Sequence, residues 1–275
     1  MDLPLVALVL LGAMSALLGS LGGIGGATLL VPTLLALDVD PLLAAPLGLL
    51  VVAAGSLAAA ARQLDDGLVH HRLGLTIELT ASVGTVAGAL LATQIPAVWL
   101  ARLLGVAALG GAVAALARRG VRNLPVAAFD ADVGGEWPGT LGGQYSLAGR
   151  MVPYQARNLP GGLAVSLVAG AIAGMSGVGG GFVKTPAMSE IMKVPVKVAA
   201  ATTTFTLGIT ASTGLLIFAV QGRIEVRNGA AIVLGALAGG LTGARLQSRL
   251  PAVAVRIATG ALLVAVALVV IGRTL

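Results

Sequence analysis

The sequence contains no cysteine, only two histidines and only 10% charged residues. Without cysteine there are no disulfides, no thiolate-bound iron–sulfur clusters and no thiol nucleophile, while the compartment is left open. Scarce charge excludes more. A soluble domain carries roughly 25% charged residues, so this chain has too few to cover a water-facing surface. What stands in their place is apolar: 57% of residues are hydrophobic, 40 are glycine and the mean hydropathy is +1.00. In lipid the backbone must satisfy its own hydrogen bonds, which leaves helices or a closed barrel. A barrel reads as short alternating segments, whereas the apolar runs here are continuous and about 20 residues long, as spanning helices require.

Eight such segments fall at approximately 3–37, 42–61, 73–95, 97–117, 161–192, 198–221, 228–247 and 252–272. Asp2 and the lack of a basic start argue that residues 3–18 form a retained first span rather than a signal peptide. The first and fifth segments are over-long: about 35 residues at 1.5 Å each make roughly 50 Å of helix against a core of about 30 Å. Each carries a glycine cluster followed by proline, Gly22-Gly-Ile-Gly-Gly-Ala-Thr-Leu-Leu-Val-Pro32 and Gly174-Met-Ser-Gly-Val-Gly-Gly-Gly-Phe-Val-Lys-Thr-Pro186.

An offset of 154 carries Gly23, Gly25, Gly26, Pro32 and Pro41 onto Gly177, Gly179, Gly180, Pro186 and Pro195. After a one-residue slip, Gly67, Arg72, Gly74, Gly84, Gly88, Pro96 and Gly105 fall on Gly222, Arg227, Gly229, Gly239, Gly243, Pro251 and Gly260. These matches predict an internal duplication, a common transporter design. The expected architecture is an all-α polytopic membrane protein of about eight transmembrane segments, built as two four-segment repeats with glycine-broken first helices. Its parts are a first repeat at 1–117, a polar inter-repeat loop at 118–160, read as a small hairpin or a linker without a site, and a second repeat at 161–275. The net charge of +6 is explained by arginines flanking the apolar runs, and their distribution places both termini on the cytoplasmic side of the cell membrane.

Glycine lets a chain leave helical geometry cheaply. A half-helix restarting near Phe182 would point free amides and its dipole at the break, a pattern suited to anions and used by many transporters at the membrane midplane. Lys184 adds a charge and Thr185 a hydroxyl, while the first repeat has Leu30 in the place of Lys184. The competing reading is close helix packing through small residues. It is adopted for Gly84/Gly88 and Gly235/Gly239/Gly243, whereas the over-long segments and the repetition favour functional breaks at Gly23–Pro32 and Gly177–Pro186. Lys184 is read as a substrate contact or as a side chain snorkelling to an interface, and Lys193 and Lys197 as marking the segment's end.

Thr202, Thr203, Thr204 and Thr206 open the sixth segment. One or two of them can line a path while the rest bond carbonyls of their own helix. Glu78 is read either as a carrier of a coupling proton or as an interfacial partner of Arg72; Arg102 and Arg256 are read as snorkelling. His70 and His71, beside Asp65 and Asp66, make a solvated turn rather than a metal site. Two enzyme patterns fail. Gly174-Met-Ser-Gly177 matches the serine motif of intramembrane rhomboid proteases, but no histidine follows it. Gly179-Gly-Gly-Phe-Val-Lys-Thr185 hints at a phosphate loop, but Val183 replaces the glycine before the lysine and no strand precedes it.

At the duplicated G-x-G-G-x-x-x-x-x-P motif, Gly23–Pro32 and Gly177–Pro186, and at the following Val198-Ala-Ala-Ala-Thr-Thr-Thr-Phe205, the chain resembles the TauE/SafE sulfite exporter family, also called the TSUP transporters. The resemblance covers nearly all the chain outside 118–160. It implies a secondary transporter, an exporter of small sulfur-containing or organic anions such as sulfite or sulfonates. It departs from the fuller triple glycine in the first repeat, where Ala27 stands against Gly181. The expected substrate-binding set is Gly23, Gly25, Gly26, Gly177, Gly179, Gly180, Gly181, Lys184, Thr185, Thr202 and Thr203. No catalytic residue, metal or cofactor is expected, and no nucleic-acid partner; the expected partners are a small anion, the lipid bilayer and a coupling proton or sodium ion. An anion channel and a non-transporting membrane scaffold subunit are the alternatives.

Overall fold

The computed structural model describes residues 4–37, 39–92, 134–147 and 150–251, with scattered positions within 94–109 and 253–272. Eight α-helices are described: α1 Leu5–Gly22, α2 Ala27–Ala36, α3 Pro41–Asp65, α4 His71–Leu91, α5 Leu159–Ser176, α6 Gly181–Pro186, α7 Val196–Val220 and α8 Val226–Arg249. Between α4 and α5 lie three short strands, β1 Gly135–Glu136, β2 Gly142–Leu147 and β3 Arg150–Gln155. Among the described residues six helices, α1, α3, α4, α5, α7 and α8, are long and apolar enough to cross a membrane. The expected segments 97–117 and 252–272, with Arg256 and the polar run 118–133, lie largely or wholly outside the described residues. Arg102 is described, its guanidinium 5.2 Å from the ring of Trp99.

Both over-long segments are interrupted at their glycine clusters. The helix α1 stops at Gly23 (φ +64°), whose N–H donates to the carbonyl of Gly19, and Gly25 (φ +85°) turns the chain into α2. In the same way α5 stops at Gly177 (φ +74°), which donates to Ala173, and Gly179 (φ +85°) and Gly180 (φ +69°) lead into α6. A left-handed residue ends a helix because it turns the next N–H back onto the last free carbonyls, and glycine does so without a Cβ clash. Pro186 has no N–H to donate into the helix, and the chain past it widens into a π-turn at Ala187–Ile191.

Each break wedges against the start of a long helix. A Cβ on Gly23 would overlap the backbone of Ala200 in α7, and one on Gly177 that of Ala45 in α3. The two breaks also touch each other, since the Thr185 hydroxyl donates to the Gly23 carbonyl at 2.7 Å.

The long helices cross backbone to backbone on glycine. Gly235, Gly239 and Gly243 of α8 lie against the main chain of Val9, Ala13 and Leu17 in α1. Gly84 and Gly88 of α4 lie against Leu167 and Ala171 in α5, and Gly170 and Gly174 return the contact at Ala81 and Thr85. Small residues permit such approach, and in lipid close packing is a main source of helix association. A polar tie adds to it: Gln63 of α3 donates to Gln247 of α8 at 2.6 Å, and Gln247 donates to the Leu21 carbonyl of α1 at 2.9 Å.

The part of the inter-repeat stretch that is described folds as an antiparallel sheet of order β1-β2-β3, which is more than a hairpin or linker. Its Tyr145 and Tyr154 pack with Leu68, Val69, Leu73, Met188 and Met192, so the sheet sits on the connection between α3 and α4. The expected solvated turn at that connection is corrected for one histidine. His70 is fully buried, accepts the Leu73 N–H on Nδ1 at 3.2 Å as the cap of α4, and donates its own N–H to Thr202 at 2.9 Å. His71 remains half-exposed.

Candidate functional site: a buried lysine beside the second glycine break

The break shortens α6 to little more than a turn and aims Lys184 into the protein, where the side chain is fully buried. Its Nζ lies 2.5 Å from Oε2 of Glu78 on α4 and donates to the Thr210 hydroxyl of α7 at 2.7 Å. The hydroxyl of Thr210 in turn donates to Oε1 of Glu78 at 2.5 Å, closing a ring of three side chains. Ser82 adds a longer bond to the same carboxylate oxygen at 3.3 Å. Glu78 therefore pairs with Lys184, not with Arg72, whose backbone N–H donates to Glu136 of β1 at 2.9 Å. A carboxylate inside the protein offers the lysine far more than a distant interface does, so Lys184 does not snorkel.

Local sequence explains the convergence. Residues four apart share a helix face, so Gly74, Glu78 and Ser82 form one stripe on α4, and Thr202, Thr206 and Thr210 form another on α7. Gly74 lets the stripes close up, since a Cβ there would sit 2.9 Å from the methyls of both Thr202 and Thr206. Glu78 lies seven residues past the start of α4, about 10 Å along it at 1.5 Å per residue.

An open groove of about 650 Å³ lies along this stretch of α4 and takes in the Glu78 carboxylate. His71, Arg72 and Glu136 line it near the head of α4, and Leu75, Thr76, Leu79, Ile209, Ser82 and Glu78 line the rest. His70 lies at that head with Nδ1 2.9 Å from Glu136, and burial holds its imidazole below the ordinary histidine range despite that neighbour.

A lysine, a carboxylate and a hydroxyl, buried together with the carboxylate on a groove, suit binding of an ion rather than attack on a bond. Known proteins point the same way. The family model described as "Sulfite exporter TauE/SafE" matches residues 8–270. The chain belongs to the TauE/SafE family. It is also 28% identical over 257 residues to a "Probable membrane transporter protein YunE" of Bacillus subtilis (strain 168), covering 89% of each chain. No solved structure matches. This TauE/SafE chain is thus a multi-pass membrane transporter and not an enzyme.

Of the expected site residues, Gly23, Gly25, Gly177, Gly179 and Gly180 form the turns, while Gly26 caps α2 and Gly181 opens α6. Gly25 and Gly26 border a small void of about 10 Å³ with Ser20, Ser56 and Thr204, room for about one water. Thr185 reaches the first break rather than Lys184. Thr202 and Thr203 are not brought to the lysine: Thr202 accepts from His70, and Thr203 points its hydroxyl at the Met188 sulfur at 3.3 Å. Thr204 and Thr206 bond carbonyls of their own helix. The residues absent from the expected set are Thr210, Ser82 and, as partner of the lysine, Glu78. Two signals point to them: a lysine in an apolar segment demands a counter-charge, and Thr210 continues the Thr202–Thr206 spacing.

Proposed function

We propose that this protein is a secondary transporter of small anions, foremost sulfite and sulfonates, that carries them at one site per chain built on Lys184. The observation that carries the reading is the fully buried Lys184 ammonium, held on a carboxylate and a hydroxyl beside a glycine break. An oxyanion offers the same acceptor oxygens as Glu78 and fits the same donors. The glycines of both breaks, Gly23, Gly25, Gly26, Gly177, Gly179, Gly180 and Gly181, supply the backbone bends around that site, and Thr185 couples the two. Sulfur-containing cargo and outward direction are carried over from the family's description as a sulfite exporter.

The reading includes two four-segment repeats, eight segments in all, with 118–160 between them. Supporting it, the contacts of Gly84 and Gly88 with Leu167 and Ala171 recur, at the repeat offsets, as those of Gly239 and Gly243 with Ala13 and Leu17. The break contacts, Gly23 with Ala200 and Gly177 with Ala45, recur likewise. The site does not recur. Leu30, Val233 and Gly55 stand where Lys184, Glu78 and Thr210 would be repeated, which argues for one anion per chain.

The test is counterflow of labelled sulfite in proteoliposomes loaded with unlabelled sulfite. Saturable counterflow in the wild type, lost in Lys184→Ala and in the charge-balanced double variant Lys184→Ala/Glu78→Ala, is the expected result. Flux that rises linearly with concentration and shows no counterflow would make the protein a channel. Counterflow that survives in both variants would move the site away from Lys184.

A further inference from the structure

We infer that Glu78 is a proton-binding site, and that the anion and a proton share the carrier in a fixed ratio because Glu78 and the anion compete for Lys184. The inference rests on the transport reading above and names its co-substrate.

The geometry sets up the competition. The Glu78 carboxylate takes the ammonium of Lys184 and the hydroxyl of Thr210, the two strongest donors at the site. An arriving anion needs those same donors. With Glu78 ionised, the site is electrically neutral and the donors are committed. An added monoanion would leave a net negative charge among buried groups, which a low-dielectric interior strongly disfavours.

Protonation changes both terms at once. A proton binds a carboxylate oxygen of Glu78 and its charge is cancelled; Lys184 remains an ammonium with no counter-ion, and the Thr210 hydroxyl is free to turn. The site now carries one positive charge and two donors, and a monoanion restores neutrality. Releasing the anion lets Glu78 lose its proton and re-form the pair. Each cycle moves one proton with one monoanion in the same direction and no net charge.

The carboxylate is also open to the outside of the helix bundle, since Glu78 and Ser82 line the same groove as His71, Arg72 and Glu136. Few other charges compete for the role. Among the described residues packed against α4, α5 carries no charged residue and α7 carries only Lys197, thirteen residues from Thr210 or about 20 Å of helix. Arg72 and His71 lie at the head of α4 itself and Glu136 on β1, all lining the groove near that head. Glu78, with Lys184 buried behind it, is thus the charged group of the groove that stands apart from that cluster.

The consequence for direction is specific. Coupled in this way, flux follows the pH and anion differences and ignores the membrane potential. Outward transport then requires only that the product of anion and proton concentrations be higher inside.

The experiment uses the full chain in proteoliposomes with a trapped pH-sensitive dye. Methanesulfonate is the first probe, because it stays ionised and carries no proton through lipid by itself; sulfite is the second. Wild-type protein is expected to accumulate the probe under an acid-outside gradient, to acidify the lumen as it does so, and to be unaffected by a potassium-diffusion potential. In Glu78→Gln the gradient-driven accumulation and the acidification are lost, and the counterflow that remains no longer depends on pH. Glu78→Asp, which keeps the carboxyl, retains coupling, and this separates loss of the proton from loss of the fold.

Counterflow in the wild type without pH dependence overturns the inference and spares the transport reading. So does gradient-driven accumulation that survives in Glu78→Gln. Absence of counterflow for both probes in the wild type overturns the transport reading, and the inference with it.

Discussion

Lys184 keeps its charge in the interior because Glu78 and Thr210 take it up, and the three stand or fall together. Removing one partner of a buried ion pair leaves the other uncompensated and costs about 3–5 kcal/mol, whereas replacing both with apolar groups of similar volume is close to neutral. Lys184→Met alone should therefore lower the thermal midpoint of the detergent-solubilised protein well below that of Lys184→Met/Glu78→Leu. If the double variant melts lower than the single one, the pair stabilises the fold by itself. Thr210 makes a subtler case. Thr210→Val keeps the shape but strips the hydroxyl from the ring, at about 1–3 kcal/mol; anion counterflow should fall in Thr210→Val and return in Thr210→Ser. The lysine is legible in the sequence because ammonium groups are rare in apolar segments. That Glu78 and Thr210 are its partners is less so, since Glu78 stands 106 positions away and Thr210 lies on a third helix. The threonine run singles out Thr202 and Thr203, yet side chains one position apart on a helix point in different directions.

Among elements, α4 and α5 show how much a crossing depends on what is missing. A Cβ at Gly84 or Gly88 would run into a carbonyl oxygen of α5, with no flexible side chain to give way. Gly84→Val and Gly88→Val should each destabilise by about 1–3 kcal/mol or more, read as loss of monodisperse protein on gel filtration. Gly222→Ala is the control. Its φ of +67° costs backbone strain only, since nothing lies within 4 Å of the added carbon.

The sheet docked at the head of α4 brings a pH dependence. The buried His70 has a folded pKa below its ordinary 6.5, chiefly through desolvation. Between those two values the unfolded chain binds more protons, so stability rises with pH. The advantage of the neutral buried ring is complete above 6.5 and is lost as pH falls through the folded value. Thermal melts at about pH 7.5 and about pH 5.5 should show a drop that His70→Asn, which keeps a capping acceptor but does not titrate, largely removes. An equal drop in both proteins would assign the effect to other groups.

The helix breaks are legible in segment length and glycine alone. The sheet is not. Its strands are short and its glycines, at 134, 135, 139, 142 and 143, give no alternating pattern to read.

Across the molecule, the helices are not grouped as the sequence orders them. The closest partner of α1 is α8, and that of α4 is α5, so the stripes Val9–Ala13–Leu17 and Gly235–Gly239–Gly243 meet from opposite ends of the chain. Two four-helix halves moving as separate blocks would tear both crossings apart. Cutting the chain between residues 118 and 133 and expressing the pieces 1–117 and 134–275 together should give a complex that co-purifies through a tag on either piece. Either piece alone should fail to accumulate; a stable, monodisperse piece 1–117 by itself would show that the crossings are dispensable. Close packing at these glycines is legible in the small-residue spacing, but which helix meets which is not, because spacing marks a smooth face without naming its partner.

That pairing also sets an order of events during synthesis. Of the described helices α1 enters the bilayer first, and its partner α8 follows some two hundred residues later in the chain. At roughly 5–20 residues per second, α1 waits on the order of ten seconds or more with its Val9–Ala13–Leu17 face turned to lipid. Ser20 suits that interval: its hydroxyl donates to the Leu17 carbonyl of its own helix at 3.0 Å and needs no neighbour to satisfy it. The first helix made is among the last to be clasped, so whatever watches over unassembled membrane proteins has its longest look at α1.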